Sequence, residues 1–184
     1  SSIIQSNEFE FGLGVESNAD LDKSWNFTYL TYKSTFKNTS FFEFTNFYRT
    51  SGKDFWITRD NAAAPYIKKP ANYGTQIQYM GPSSDQFGYG LTVTREKGSA
   101  WFSALGFSTT YTAMANFTPR DNLKFSLMYQ HSDEKDWLNW IEDTLLGIYT
   151  KQQRTTVASI NWFGGDRHEL RVKAQMVALS LIHI

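Results

Sequence analysis

The chain has 184 residues, enough for one domain with a substantial core. Its 18 basic and 18 acidic residues balance to a formal net charge of zero, and the scattered basic residues give no electrostatic basis for nucleic-acid binding. The sequence has no cysteine, which excludes disulfides and thiolate metal sites, and no apolar run approaches the ~18 residues of a membrane-spanning helix.

Aromatic residues are abundant, with 15 Phe, 10 Tyr and 6 Trp beside many Thr, Ser, Asn and Gln residues, a composition typical of β-strands. The first predicted element, residues 8–16, places Phe9 and Phe11 on one face and Glu8 and Glu10 on the other. The same alternation by two predicts further strands along the chain, about nine in all. They lie near residues 25–29, 41–49, 73–79, 87–96, 101–117, 123–129, 152–163 and 168–178.

The connections between these strands differ in length. Residues 36–40 and 119–122 are predicted tight turns, whereas residues 52–72 and 131–151 are predicted long loops. Short turns at one end of a sheet and long loops at the other are typical of an outer-membrane β-barrel.

Strand length and the contrast between faces favour this membrane architecture. Several predicted strands approach the 9–11 residues that a tilted strand needs to cross a bilayer, and their apolar faces carry large side chains opposite Gly, Thr, Gln and charged groups. We therefore predict an all-β fold, an antiparallel up-and-down meander that forms an incomplete part of a transmembrane β-barrel in the bacterial outer membrane, with lipid as its partner.

The alternative is a soluble β-sandwich or lectin-like carbohydrate-binding module, because sandwich strands also alternate. This alternative requires a second sheet packed on the aromatic face.

Charged residues on the polar parity of the strands are candidate lumenal charges. They are Glu8, Glu10, Glu96, Lys124, Glu169, Arg171 and Lys173. Turned toward lipid near the bilayer midplane, an Arg or Lys would cost roughly 2–4 kcal/mol, so the register is strongly constrained. Because barrel interiors are routinely polar, a solvated or ion-paired wall without a selectivity role is the favoured interpretation, and a transport role is the minority one.

No motif predicts catalysis, a cofactor or a metal. The three histidines, His131, His168 and His183, lack the spacing of a zinc site, and no nucleophile elbow or phosphate-binding loop occurs. A pair of carboxylates placed for hydrolysis would have to be demonstrated in three dimensions. We therefore expect a non-enzymatic protein.

The loop predicted at residues 131–151 contains candidate glycan contacts. Trp137 and Trp140 can stack on sugar rings, and the neighbouring Asp136 can bind hydroxyl groups. The favoured alternative is that both indoles pack into the loop or lie at the membrane interface.

Three segments resemble a known family. DWLNW at residues 136–140, LLGIYTKQQ at 145–153 and NWFGGDRHELRVKAQ at 161–175 resemble the C-terminal barrel domain, of unknown function, of Gram-negative proteins that begin with a family 9 carbohydrate-binding-like domain. The resemblance implies an outer-membrane β-barrel with a separate N-terminal domain of the same chain, which is missing here, and it brings no catalytic residues. Met176 departs from the aromatic residue expected soon after Gln175.

The closing residues LSLIHI are what CTG TCT CTT ATA CAC ATC encodes, and that string matches a transposase mosaic end used in sequencing libraries. We therefore interpret residues 179–184 as adapter read-through and residues 1–178 as the β-barrel domain fragment. Strands are expected to be missing at both ends.

Overall fold

The structure is a computed structural model that describes residues 3–17, 23–54, 67–82, 84, 86–98, 105–142, 145–165 and 168–183. These residues form strands and connections, and none of them lies in a helix that is long and apolar enough to cross a membrane. The strands are β1 (Ile4–Ser17), β2 (Lys23–Phe36), β3 (Phe41–Arg49), β4 (Gly52–Asp54), β5 (Ile67–Lys69), β6 (Asn72–Met80), β7 (Phe87–Lys97), β8 (Phe107–Arg120), β9 (Leu123–Glu142), β10 (Leu145–Phe163) and β11 (Glu169–His183).

Nine strands form one antiparallel sheet in the order β1-β2-β3-β6-β7-β8-β9-β10-β11, which confirms the predicted up-and-down meander. Strands β4 and β5 pair with each other as a separate hairpin between β3 and β6. Within the described residues β1 pairs only with β2 and β11 only with β10, so the sheet is not closed into a barrel. This open geometry is consistent with the predicted incomplete barrel.

The strand register keeps each kind of side chain on one face, because directly opposed residues in an antiparallel pair project to the same side. One row of opposed residues is almost entirely apolar. It runs through Phe9, Tyr32, Phe44, Ile77, Val93 and Tyr111. The adjacent row, on the opposite face, is polar. It runs through Glu10, Thr31, Thr45, Gln76, Thr94 and Thr110.

The sheet curls toward its polar face. One pocket there is lined by side chains from six neighbouring strands, β2, β3 and β6 to β9. Six flat strands would extend over about 24 Å at a spacing of ~4.8 Å, so curvature must bring them around one cavity. We call this polar side the concave face and the opposite side the convex face.

The convex face exposes large apolar side chains. Phe9 is 72% exposed, Leu91 53% and Leu127 52%, and several aromatic residues on this face are more than 40% exposed. The β4–β5 hairpin contacts the main sheet at β2, and no second sheet covers these side chains in the described part of the chain. The described architecture is therefore one main sheet with a small separate hairpin and not a sandwich.

The prediction of two long loops was wrong in part. Residues 131–151 were predicted as a loop, but 131–142 continue β9 and 145–151 begin β10, and the two strands pair as a long hairpin. The loop predicted at 52–72 contains β4, β5 and the first residue of β6, with 55–66 outside the described residues. Strand β8 begins at Phe107 and extends beyond the predicted end at residue 117.

The separation of polar and apolar faces is lost at the end of the last strand. Leu179 and Leu181 lie opposite Gln153 and Lys151, so they fall on the otherwise polar concave parity. The interpretation of residues 179–184 as read-through stays a prediction.

A strained turn joins β2 to β3 and provides a test of the backbone geometry. Thr39 has φ of 69°, its N–H donates to the Phe36 carbonyl at 2.9 Å, and the Phe36 N–H donates to the Ser40 carbonyl at 2.9 Å. A β-branched residue is unfavourable in this left-handed conformation, which Asn adopts more readily. We expect Thr39→Asn to raise the free energy of unfolding by about 1 kcal/mol in denaturant titration. The control Lys37→Asn lies in the same turn without a positive φ, and an equal gain there would contradict this account.

Candidate functional site

The pocket on the concave face has a volume of about 400 Å³ and is open to solvent. Aromatic side chains line it on β2 and β3, and polar side chains line it on β6 to β9. The aromatic ones are Phe27, Tyr29 and Phe47, and the polar ones include Gln76, Thr94, Thr110 and Gln130. Arg49 and Glu96 add one positive and one negative charge. The pocket therefore combines flat apolar surface with hydrogen-bonding and ionic groups.

Two glycines on β1 make room for the aromatic side chains. Gly12 lies opposite Tyr29 and Gly14 opposite Phe27, and a Cβ atom on either glycine would collide with the facing ring. The rings therefore lie over β1, and the Tyr29 hydroxyl donates a 2.6 Å hydrogen bond to Oε1 of Glu10. The Gly-x-Gly pattern of β1 thus serves close packing of rings across the strand pair.

A partly exposed charge cluster lies beside the rings. Lys33 Nζ is 3.7 Å from Oε2 of Glu10 and 3.8 Å from Oε2 of Glu43. All three side chains retain contact with solvent, so each ion pair contributes little to stability, about 0–1 kcal/mol. The single Lys33 ammonium offsets part of the negative charge of the two carboxylates.

Glu96 lies at the centre of a hydrogen-bonded group further along the concave face. Its Oε2 accepts from Nδ2 of Asn72 at 3.3 Å, and its Oε1 accepts from the Ser108 hydroxyl at 3.4 Å. Asn72 and Ser108 are both buried. These donors hold the carboxylate in place at the pocket wall.

The most buried ion pair joins β9 to β10. Lys151 Nζ donates to Oε1 of Glu134 at 3.0 Å, with residue exposures of 8% and 3%. The Lys151 ammonium also lies 4.9 Å from the Trp137 ring centroid, within the range of a cation–π contact. Glu134 Oε2 has no hydrogen-bond partner in the described structure. Desolvation makes this pair sensitive to the loss of either partner.

All seven predicted lumenal charges fall on the concave parity, but the structure brings together only some of them. Glu169 pairs with Arg171, and Lys124 and Arg171 share a row through Asn161. Lys173 lies opposite Ser159, and Glu8 lies opposite Lys33. Glu10 and Glu96 take part in the contacts described above. Their lumenal role stays a prediction.

Several concave-face residues that line the pocket or form ion pairs and hydrogen bonds were not among the sequence candidates. They are Lys33, Glu43, Arg49, Asn72, Glu134 and Lys151. Glu43 was on the polar parity of a predicted strand and could have been included. Lys33 was missed because β2 extends beyond the predicted residues 25–29, and Glu134 and Lys151 were missed because their segment was predicted as a loop.

The candidate glycan contacts lie in β9 and not in a loop, which corrects their predicted setting. The centroid of the Trp137 ring lies 6.3 Å from that of the Tyr149 ring, and the Lys151 ammonium contacts the Trp137 ring face. Asp136 has φ of 52° and lies where the register between β9 and β10 shifts. The side chain of Trp140 lies outside the described residues. Glycan contact by these residues stays a prediction.

No cluster of three or more His, Asp or Glu side chains suited to a metal ion occurs in the described ranges. Comparison of the chain with protein-family models, with curated proteins and with solved structures found no match.

The buried ion pair gives a stability prediction. Lys151→Met should leave the Glu134 carboxylate buried and unpaired, at a cost of about 3–5 kcal/mol in the free energy of unfolding. Lys135→Met is the matched control, because Lys135 is exposed and lies 3.7 Å from Asp133, so its loss should cost under ~1 kcal/mol. Urea titration of both variants measures the difference, and equal costs would contradict the structural assignment.

Proposed function

We propose that this chain is a non-enzymatic domain of an outer-membrane β-barrel, with its convex face in lipid and its concave face forming part of a polar lumen wall. The observation that carries the proposal is the exposure of the large apolar side chains on the convex face, which no second layer covers in the described structure. A lipid bilayer is the solvent in which such a surface is favourable. The resemblance of the segments at 136–175 to a Gram-negative barrel domain, preceded in that family by another domain, points the same way.

The length of the apolar alternation on the last strand is close to that needed to cross a bilayer. On β11 it extends from Leu170 to Ala178, which is nine residues. A tilted strand needs about 9–11 residues to cross the hydrocarbon layer.

The positions of charged side chains on the convex face support an edge of the hydrocarbon layer at one side of the sheet. One end of the sheet holds the tight β8–β9 turn, the start of β7 and the end of β10. From that end, the convex residues of β7, β9 and β10 are uncharged up to Val93, Tyr129 and Thr156. Charged or titratable residues follow on each strand at the next convex position, Arg95, His131 and Arg154. This ordering is what the edge of a hydrocarbon layer requires, since ionised groups are costly within it.

Cell fractionation tests the proposal. The natural full-length protein that carries this sequence should be recovered with outer membranes and should require detergent for release. Recovery in the soluble fraction without detergent would refute the membrane assignment and leave the single-sheet fold in need of another covering surface.

A pair of neighbouring substitutions tests which face contacts lipid. Leu91 is on the convex face and Thr92 on the concave face of β7. Leu91→Arg should lower the free energy of unfolding in lipid by about 2–4 kcal/mol because the guanidinium would enter the hydrocarbon layer. Thr92→Arg should cost much less, because its side chain points to the polar side. Folding titrations in phosphatidylcholine vesicles compare them, and the reverse order would reverse the assignment of the faces.

Glycan binding in the concave pocket is a second candidate function, favoured by the aromatic and amide lining. Rings such as Phe47 can stack on a sugar while Gln76 and Gln130 bind its hydroxyls. Calorimetric titration with a panel of neutral oligosaccharides should detect binding that Phe47→Ala abolishes. Phe44→Ala, on the convex face of the same strand, should leave it unchanged. Absence of binding across the panel would remove this candidate without affecting the barrel proposal.

A further inference from the structure

A group of basic side chains lies on the convex face directly beyond the apolar band, on the side away from the tight β2–β3 and β8–β9 turns. We call this group the convex basic cluster. Its members are Arg95 and Lys97 on β7, His131 and Lys135 on β9, and Arg154 on β10. Among the described residues the acidic Asp133 shares this surface and lies 3.7 Å from Lys135. The cluster therefore carries a net positive charge.

The register places the members on the same face of strands β7, β9 and β10. His131 is directly opposite Tyr111 on one side and Arg154 on the other. The Arg95 guanidinium carbon is 5.3 Å and the Lys97 ammonium 6.0 Å from the centroid of the Phe107 ring. The convex side chains of β8, which lies between β7 and β9, are uncharged aromatic and hydroxyl groups. The basic residues of β7 and those of β9 therefore border the same uncharged strip.

The basic residues of this cluster differ from those of the concave face in their partners. On the concave face Lys33 lies near two carboxylates and Arg171 pairs with Glu169. Arg95, Lys97 and Arg154 are exposed and make no ion pair with any residue that the structure describes. Their positive charge is available to an external anion.

We propose that the convex basic cluster binds the phosphate groups of anionic lipids whose acyl chains lie along the adjacent apolar band. The inference rests on the proposed function, because it requires the convex face to contact lipid. The ligand is a lipid and not a free phosphate because the cluster is continuous with exposed apolar side chains, Val93 next to Arg95 on the same parity and Leu91 beyond it. An amphipathic molecule satisfies both surfaces at once.

The test uses the full chain folded in neutral detergent and incubated with phosphatidylglycerol and phosphatidylcholine of identical acyl chains. Native mass spectrometry counts the lipids that remain bound. The chain should retain phosphatidylglycerol preferentially, and the triple variant Arg95→Gln, Lys97→Gln, Arg154→Gln should lose this preference, by about fivefold for each cation removed.

The matched control is Lys124→Gln, Arg171→Gln, Lys173→Gln, which removes the same charge from the concave face and should keep the preference. Equal retention of the two lipids by the unaltered chain, or an equal loss in both triple variants, would overturn the inference. Displacement of the lipid by inorganic phosphate at equal concentration would also overturn it, because the site would then recognise phosphate alone.

Flotation with phosphatidylcholine vesicles separates this inference from the proposed function. A chain that floats with neutral vesicles but shows no lipid preference refutes the phosphate site and leaves the barrel proposal intact. A chain that stays in solution refutes both.

Discussion

The two-residue period of the strands, held in register across nine strands, is the constraint on which the rest of the structure depends. A shift of one residue between any two strands would move apolar side chains to the polar face and charges to the apolar face. The register avoids this along the apolar band, so Phe9 and Val93 belong to one apolar row although they are far apart in sequence. Backbone pairing and side-chain segregation therefore specify the same sheet.

Segregation has opposite consequences for the two faces. On the concave face, ionised side chains have oppositely charged partners, as in the ion pairs of Lys33 with Glu10 and of Lys151 with Glu134. Among the described residues the convex face has no such partners along its apolar band, and removing such a surface from water is favourable. The proposed membrane location follows from this asymmetry, and so does the position of the convex basic cluster, where the apolar rows end and charge becomes tolerable again.

The sequence was sufficient to predict the meander of about nine strands from its alternation and its turns, and the alternation by two alone predicted the face of each candidate charge. It was not sufficient for the β9–β10 hairpin. Asp136 adopts a positive φ and the register shifts beside it, so the polar and apolar positions change parity within β9. A segment whose parity changes resembles a loop in sequence, and the ion pair between Glu134 and Lys151 depends on pairing across that hairpin. The pocket could not be predicted from the sequence either, because it is formed by the curvature that brings side chains of six strands around one cavity.

Site-directed spin labelling along β9 tests the central claim most directly. Because the chain lacks cysteine, single cysteines can be placed at each position from 123 to 130 in protein reconstituted into lipid vesicles. The account predicts a two-residue period, in which labels at Leu123, Phe125, Leu127 and Tyr129 are accessible to oxygen dissolved in the bilayer and labels at the intervening positions to a water-soluble relaxation agent. Labels that are uniformly accessible to the water-soluble agent, or a period opposite in phase, would contradict it.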